Sequence, residues 1–263
     1  QEDSYVVNHL VSLNVENNIT RKFIFNQLKL FGISKIAKNQ SDYLSMNLGE
    51  IQNFKIPLPP LEIQEEIVKE IVEIEKRQEK AKEVIKGNEE EIKGMIGAGA
   101  RVRLGDILSL EYGVSLPKGK IIKGQYPVCG SNGIDGFHND FLLEASSIIV
   151  GRKGSAGKVN WIDKNCTTIG TTFYVKNNPN KIGLRYAFYT LKNANLENLI
   201  DGIGTPGLNR DNAYDIKIPH LPLEEQKKII AKIEPLEKEI TEAKEFLSNA
   251  KNLKQNILDK YLK

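Results

Sequence analysis

Three glycine-rich stretches hold the residues best suited to chemistry. They are Gly130-Ser131-Asn132-Gly133, Gly151-Arg152-Lys153-Gly154-Ser155-Ala156-Gly157-Lys158 and Gly202-Ile203-Gly204-Thr205-Pro206-Gly207-Leu208-Asn209-Arg210. Glycine lets backbone N–H groups approach an anion closely. Arg152, Lys153, Lys158 and Arg210 add charge-assisted donors of the kind that grip a phosphate backbone. Ser131, Asn132, Ser155, Thr205 and Asn209 are short donors and acceptors suited to base edges. Asn209 also has a local reading. Its counterpart Asn47 stands before an equivalent Lys-Ile-Pro segment, which suits a cap or turn. Each of these side chains taken singly is more readily read as an exposed loop residue.

Bond-making chemistry finds less support. Gly151 to Gly157-Lys158 looks like a phosphate-binding loop, but the glycines stand one residue too far apart, and Val159 replaces the Ser or Thr that would hold magnesium. Gly202-x-Gly204-x-x-Gly207 fits a dinucleotide fingerprint, yet it contains Pro206 and opens no βαβ unit. His9, His138 and His220 are scattered, with no Cys or carboxylate at metal spacing. There is no Asn/Asp-Pro-Pro-aromatic motif of amino-methyltransferases and no nuclease carboxylate–Lys set. No catalytic residue, metal ligand or cofactor is expected.

The elements that must position these loops are set by an internal repeat. Ile56-Pro-Leu-Pro-Pro-Leu-Glu-Ile-Gln-Glu-Glu-Ile-Val68 recurs as Ile218-Pro-His-Leu-Pro-Leu-Glu-Glu-Gln-Lys-Lys-Ile-Ile230, at an offset of 162. Upstream, Phe25, Leu28 and Lys29 align with Phe188, Leu191 and Lys192 after a one-residue shift. The repeated unit is a globular tail, a Lys-Ile-Pro segment and a long helix. Counted back from residue 101, the first copy lacks about 60 residues of its front.

Pro60 and Pro222 suit a first helical turn, and Glu62 and Glu224 suit the positive end of its dipole. Ile67, Ile71, Ile74 and Ile85 form an a/d seam in the first helix, and Ile229, Ile233, Leu236, Ile240 and Leu247 form one in the second. The remaining faces are rich in Glu and Lys. A helix of about 36 residues spans roughly 54 Å. Pro235 predicts a kink or short break in the second helix. The run Gly97-Ala98-Gly99-Ala100 predicts a flexible joint after the first.

Between the helices, Ser147–Val150, Lys158–Ile162 and Thr171–Val175 read as strands, and Leu184–Lys192 reads as a helix. The fold class is therefore a mixed α/β (α+β) domain with a partly antiparallel sheet, joined to a two-helix coiled coil. The expected domains are 1–55 as the tail of a first globular unit, 56–100 as the first helix and linker, 101–217 as the second globular unit, and 218–263 as the second helix.

Composition bounds the rest. The chain has 263 residues, 40% hydrophobic and 27% charged, so it buries a sizeable core and is not broadly disordered. No apolar run reaches the length of a membrane span. The polar start Gln1-Glu2-Asp3-Ser4 is no secretory signal, and the two cysteines, Cys129 and Cys166, suit a reducing cytoplasm. The net charge of +3 is uneven, with 15 basic and 10 acidic residues in 101–220 against 7 and 11 in 61–96. A basic globule beside an acidic helix fits a polyanionic partner for the globule.

Taken together, Tyr126-Pro127…Gly130-Ser131-Asn132-Gly133, Ile148-Ile149-Val150-Gly151-Arg152-Lys153-Gly154-Ser155-Ala156-Gly157, Gly204-Thr205-Pro206-Gly207-Leu208-Asn209 and the two Lys-Ile-Pro…Pro-Leu-Glu-x-Gln copies resemble the DNA-specificity subunit of type I restriction-modification systems. That resemblance implies two target-recognition domains, each reading half of a bipartite site in double-stranded DNA. It also implies two antiparallel helices that set the spacing. The implied partners are methyltransferase subunits and, through the complex, the restriction subunit. A homodimer is left open, as are two other readings: the C-terminal module of a fused restriction–methyltransferase enzyme, and a coiled-coil adaptor that binds no DNA.

Overall fold

The computed structural model describes residues 13–31, 38–40, 43–45, 53, 55–116, 119, 121, 124–201 and 206–262. In chain order the elements are α1 (Asn18–Phe31), β1 (Lys38–Gln40), β2 (Tyr43–Ser45), α2 (Leu61–Ile96), β3 (Ala100–Arg103), β4 (Leu108–Tyr112), β5 (Tyr126–Gly130), β6 (Gly133–His138), β7 (Ser147–Gly151) and β8 (Val159–Ile162). There follow β9 (Thr167–Thr168), β10 (Thr172–Asn177), α3 (Leu184–Asn193), β11 (Ile200–Asp201), β12 (Gly207–Leu208), α4 (Arg210–Asp215), β13 (Lys217–His220) and α5 (Leu223–Leu262). The chain divides into two units, Gln1–Lys86 with Glu239–Lys263, and Gly87–Lys238.

In the first unit α1 is capped by Asn17, whose Oδ1 accepts the amides of Ile19 and Thr20 at 2.9 and 3.0 Å. Helix α2 begins just after Pro60, whose carbonyl accepts the amides of Ile63 and Gln64. The proline therefore stands at the cap and not inside the first turn, a difference of one position. The long helices run antiparallel here: Glu75 pairs with Lys254 and Glu70 with Lys260, both at 2.9 Å. As the number climbs on α2 it falls on α5: Glu70 meets Lys260, whereas Arg77 lies over Phe246. Phe23, Ile67, Ile71, Ile74, Ala250 and Leu258 form the core of this unit. Each large apolar side chain so buried contributes about 1.5–3 kcal/mol.

The second unit is built on a four-stranded antiparallel sheet in the order β4-β10-β7-β8. A second sheet, β6-β5-β9, joins an antiparallel hairpin to a parallel pair. Strand β13 pairs with β3 in the register Ile218↔Val102. Helix α3 lays Ala187, Phe188 and Leu191 into the core with Ile148, Val150 and Phe173. Phe188 meets Trp161 of β8 edge-on at 5.6 Å. Ile229 and Ile233 of α5 pack onto the same core. Ile240 is buried, while Ile85, Leu236 and Leu247 are half-buried.

Two sequence expectations are refined. Helix α5 passes through Pro235 without a break. The carbonyl that proline leaves unpaired is that of Ala231, an exposed position where water can serve it, and buried Ile233 and Ile240 hold the helix on either side. The joint after α2 is ordered: Gly97 donates to Lys93 at 3.0 Å. Gly99 has φ +106, and a Cβ there would stand 2.6 Å from the His220 carbonyl oxygen. Only glycine allows β3 to meet β13 so closely.

The repeat is not matched in its surroundings. Phe188 is 7% exposed, whereas its counterpart Phe25 is 61% exposed. Lys217–His220 forms β13, whereas residues 55–60 take no regular structure and Leu58 is 62% exposed.

Candidate nucleic-acid interface

The loops singled out by sequence converge in the second unit. Ser131 and Asn132 form the turn between β5 and β6. Residues 151–158 leave β7 and close on themselves: Gly151 donates to the Lys158 carbonyl at 2.8 Å and Gly157 to the Gly151 carbonyl at 2.9 Å. The two loops touch. Lys158 Nζ donates to Asn132 Oδ1 at 3.2 Å and to its carbonyl at 3.3 Å, and Ser155 Oγ donates to Asn132 Oδ1 at 3.4 Å. Gly154 has φ +74, and a Cβ there would stand 3.2 Å from Ser131 Oγ.

Arg152 staples this loop to two others. Its amide donates to the Thr171 carbonyl and its carbonyl accepts from Leu208 N–H, both at 2.8 Å. Its guanidinium donates through Nε and Nη2 to the Gly170 carbonyl, the Nε bond measuring 2.9 Å. Lys153 donates its amide to Thr171 at 3.1 Å and bridges to Gly207, leaving its side chain exposed. A charged side chain held by main-chain carbonyls is oriented before any ligand arrives.

Asn209 caps α4, its Oδ1 accepting the Asp211 amide at 2.8 Å. Of its two sequence readings, the cap is the one this geometry displays. Arg210 follows at the first helical position. Thr205 lies outside the described residues; the other eight predicted residues, Ser131, Asn132, Arg152, Lys153, Ser155, Lys158, Asn209 and Arg210, lie within them.

Sequence reasoning missed Tyr112. It ends β4, is 52% exposed, and packs its ring against Phe173 at 5.1 Å. The guanidinium carbons of Arg152 and Arg210 lie 5.4 and 5.0 Å from its ring centre. These partners are far from it along the chain, so no local motif could have named it. Arg210 also lies 5.9 Å from the Tyr214 ring, and its Nε is buried with no acceptor.

The electrostatics are one-sided. Among the described residues no carboxylate forms an ion pair with Arg152, Lys153, Lys158 or Arg210, although Arg103, Arg185, Lys227 and Lys228 all have acidic partners. Among the described residues no cluster of His, Cys, Asp or Glu could hold a metal ion. Cys129 and Cys166 are free and buried. The hydrogen bond to Cys166 and burial push the Cys129 thiol up, so it stays protonated near neutrality. Among the described residues no helix is long and apolar enough to cross a membrane. The arrangement offers oriented cations and short polar side chains to a polyanion.

A family model for the type I restriction modification DNA specificity domain matches residues 1–87 and 100–247. Three solved structures are similar in fold. The S subunit of a type I restriction-modification system from M. genitalium is 18% identical, with 91% of this chain and 72% of that chain covered at a TM-score of 0.64. The HsdS subunit from Thermoanaerobacter tengcongensis is 20% identical, with 91% and 69% covered at 0.52. A chain from a structure describing complex assembly and conformational transition of the type I R-M system is 20% identical, with 91% and 68% covered at 0.56. No curated protein sequence matches.

Proposed function

Because this chain belongs to the type I restriction modification DNA specificity family, we propose that it is a sequence-specific DNA-binding component that performs no catalysis itself. It directs methyltransferase subunits, and through them a restriction subunit, to a bipartite site in double-stranded DNA. It works in the cytoplasm. Residues 101–217 act as a complete target-recognition domain, residues 1–55 as the tail of another, and residues 56–100 and 218–263 as spacer helices with their linker.

The observation that carries this reading is the convergence of Arg152, Lys153, Lys158 and Arg210 on one loop surface without acidic partners among the described residues. Four uncompensated cations in one place repel each other, and a phosphate backbone relieves that repulsion. Asn132 and Ser155 stand beside them with polar atoms suited to base edges. The exposed Phe25 and the segment 55–60, which pairs with no strand among the described residues, support the reading of 1–55 as part of a domain whose remaining strands would cover them, as Trp161 and β3 cover their counterparts.

Fluorescence anisotropy of a labelled duplex with the full chain, across a salt series, tests this. Binding should weaken linearly on a log–log plot, and replacing Arg152 and Lys153 with Gln should reduce the slope by about 2. No binding to any duplex at roughly 50 mM salt would sink the proposal.

A further inference from the structure

Tyr112 stands where two like charges meet. Arg152 and Arg210 place their guanidinium carbons 5.4 and 5.0 Å from its ring centre, and neither pairs with a carboxylate among the described residues. The ring's negative face offsets part of their mutual repulsion. Phe173, at 5.1 Å, holds the ring from the sheet side. Arg152 spends Nε and part of Nη2 on the Gly170 carbonyl, which fixes its plane and leaves Nη1 and the remaining Nη2 proton for another acceptor. Arg210 has its Nε buried without a partner, so its outer nitrogens are the ones left to bind.

We infer that Tyr112, Arg152 and Arg210 form a clasp for one phosphate group, and that Tyr112 is its positioning residue. Resting on the DNA-binding reading above, the clasp takes a backbone phosphodiester, so its contribution is the same for every base sequence. Tetrahedral phosphate accepts from two guanidinium forks at once, and the one ring that both groups lie over keeps the forks oriented before the anion arrives. A base-reading role would instead alter which sequences are preferred.

Two measurements separate this inference from the reading it rests on. In the first, inorganic phosphate is titrated into the full chain while the Arg152 and Arg210 Nε–H resonances are followed by NMR. Both signals should move together with one binding constant. They should stop doing so in Tyr112→Leu and recover in Tyr112→Phe, which keeps the ring. Signals that stay still, or that move alike in the Leu variant, overturn the clasp. In the second, the salt slope for duplex binding should fall by about 1 in Tyr112→Leu, by no more than about 1 in Arg210→Gln, and stay unchanged in Tyr112→Phe. A slope unaffected by Tyr112→Leu also overturns it. If the wild type binds phosphate through both arginines but binds no duplex, the clasp stands and the DNA-binding reading falls.

Discussion

Gln226 Oε1 accepts the backbone N–H of Gly183 at 2.9 Å, tying the first turn of α5 to the start of α3. The same amide group donates to the carbonyls of Lys181 at 2.9 Å and Leu221 at 2.7 Å. The side chain is 1% exposed, so all three bonds replace water. Its repeat counterpart Gln64 keeps one of them, to the Pro59 carbonyl at 2.7 Å, and leaves Oε1 buried without a partner. In the first unit α1 already begins at Asn18, so the backbone position matching Gly183 is capped by Asn17 and cannot donate to Gln64.

Gln226→Leu should therefore cost about 2–3 kcal/mol, because Gly183 N–H and the Lys181 carbonyl are left without partners. Gln64→Leu should be close to neutral, since one lost bond is offset by removing a buried orphan. Urea unfolding of each variant measures both. The fluorescence of Trp161, the single tryptophan, reports the second unit, so only the Gln226 variant should shift that transition.

The 151–158 loop should tolerate side chains unequally. Gly157 has φ +79, and a Cβ there would lie 2.5 Å from the Glu197 backbone nitrogen. Gly154 has φ +74 and would meet only the Ser131 hydroxyl, at 3.2 Å. Gly157→Ala should lose at least about 2 kcal/mol and weaken duplex binding, whereas Gly154→Ala should lose about 1 kcal/mol. Thermal melts with parallel anisotropy titrations distinguish the two.

The helix pair should weaken in acid. Glu70 accepts from Lys260 Nζ at 2.9 Å and from Tyr261 Oη at 2.7 Å, and these bonds hold its carboxyl below the ordinary value of 4.5. Its charged form is favoured in the folded state. The stability it adds is present above pH 4.5 and is lost as pH falls through the lowered folded value. Glu70→Gln should flatten that part of the stability–pH curve, measured by urea unfolding between neutrality and pH 3. Wild type and variant losing stability in parallel would contradict the assignment.

Arg185 should act as a rivet. It pairs with Glu237 at 2.6 Å and lies 4.5, 5.6 and 5.4 Å from the rings of Trp161, Phe188 and Tyr189. Burial, with the neighbouring Glu237, pushes the Tyr189 phenol up, so it stays neutral. Arg185→Leu should lower the Trp161-detected transition by about 1–2 kcal/mol, and Arg185→Lys should recover only part, because the planar stack is lost.

Elements built from local alternation were legible in sequence. Ser147–Val150, Lys158–Ile162 and Thr171–Val175 correspond to β7, β8 and β10, and Leu184–Lys192 corresponds to α3. The repeated Pro-Leu-Glu-x-Gln marked both helix starts, and the recurrence of Gln64 and Gln226 was the available signal for the strut. Features made by distant partners were not legible. The parallel pairing of Val128 with Thr167 and the Tyr112–Arg152–Arg210 contact depend on chain segments that meet only in the fold. The break expected at Pro235 failed to form because side-chain burial outweighs one missing hydrogen bond.

The most direct test of the central claim is selection from a randomised duplex pool at moderate salt, with sequencing of the DNA the full chain retains. The account predicts enrichment of a motif by the wild type. Replacing Asn132 and Ser155 with Ala should change that motif, and Tyr112→Leu should reduce retention without altering it. A retained pool as random as the input would contradict the assignment of this loop surface as a sequence-reading one.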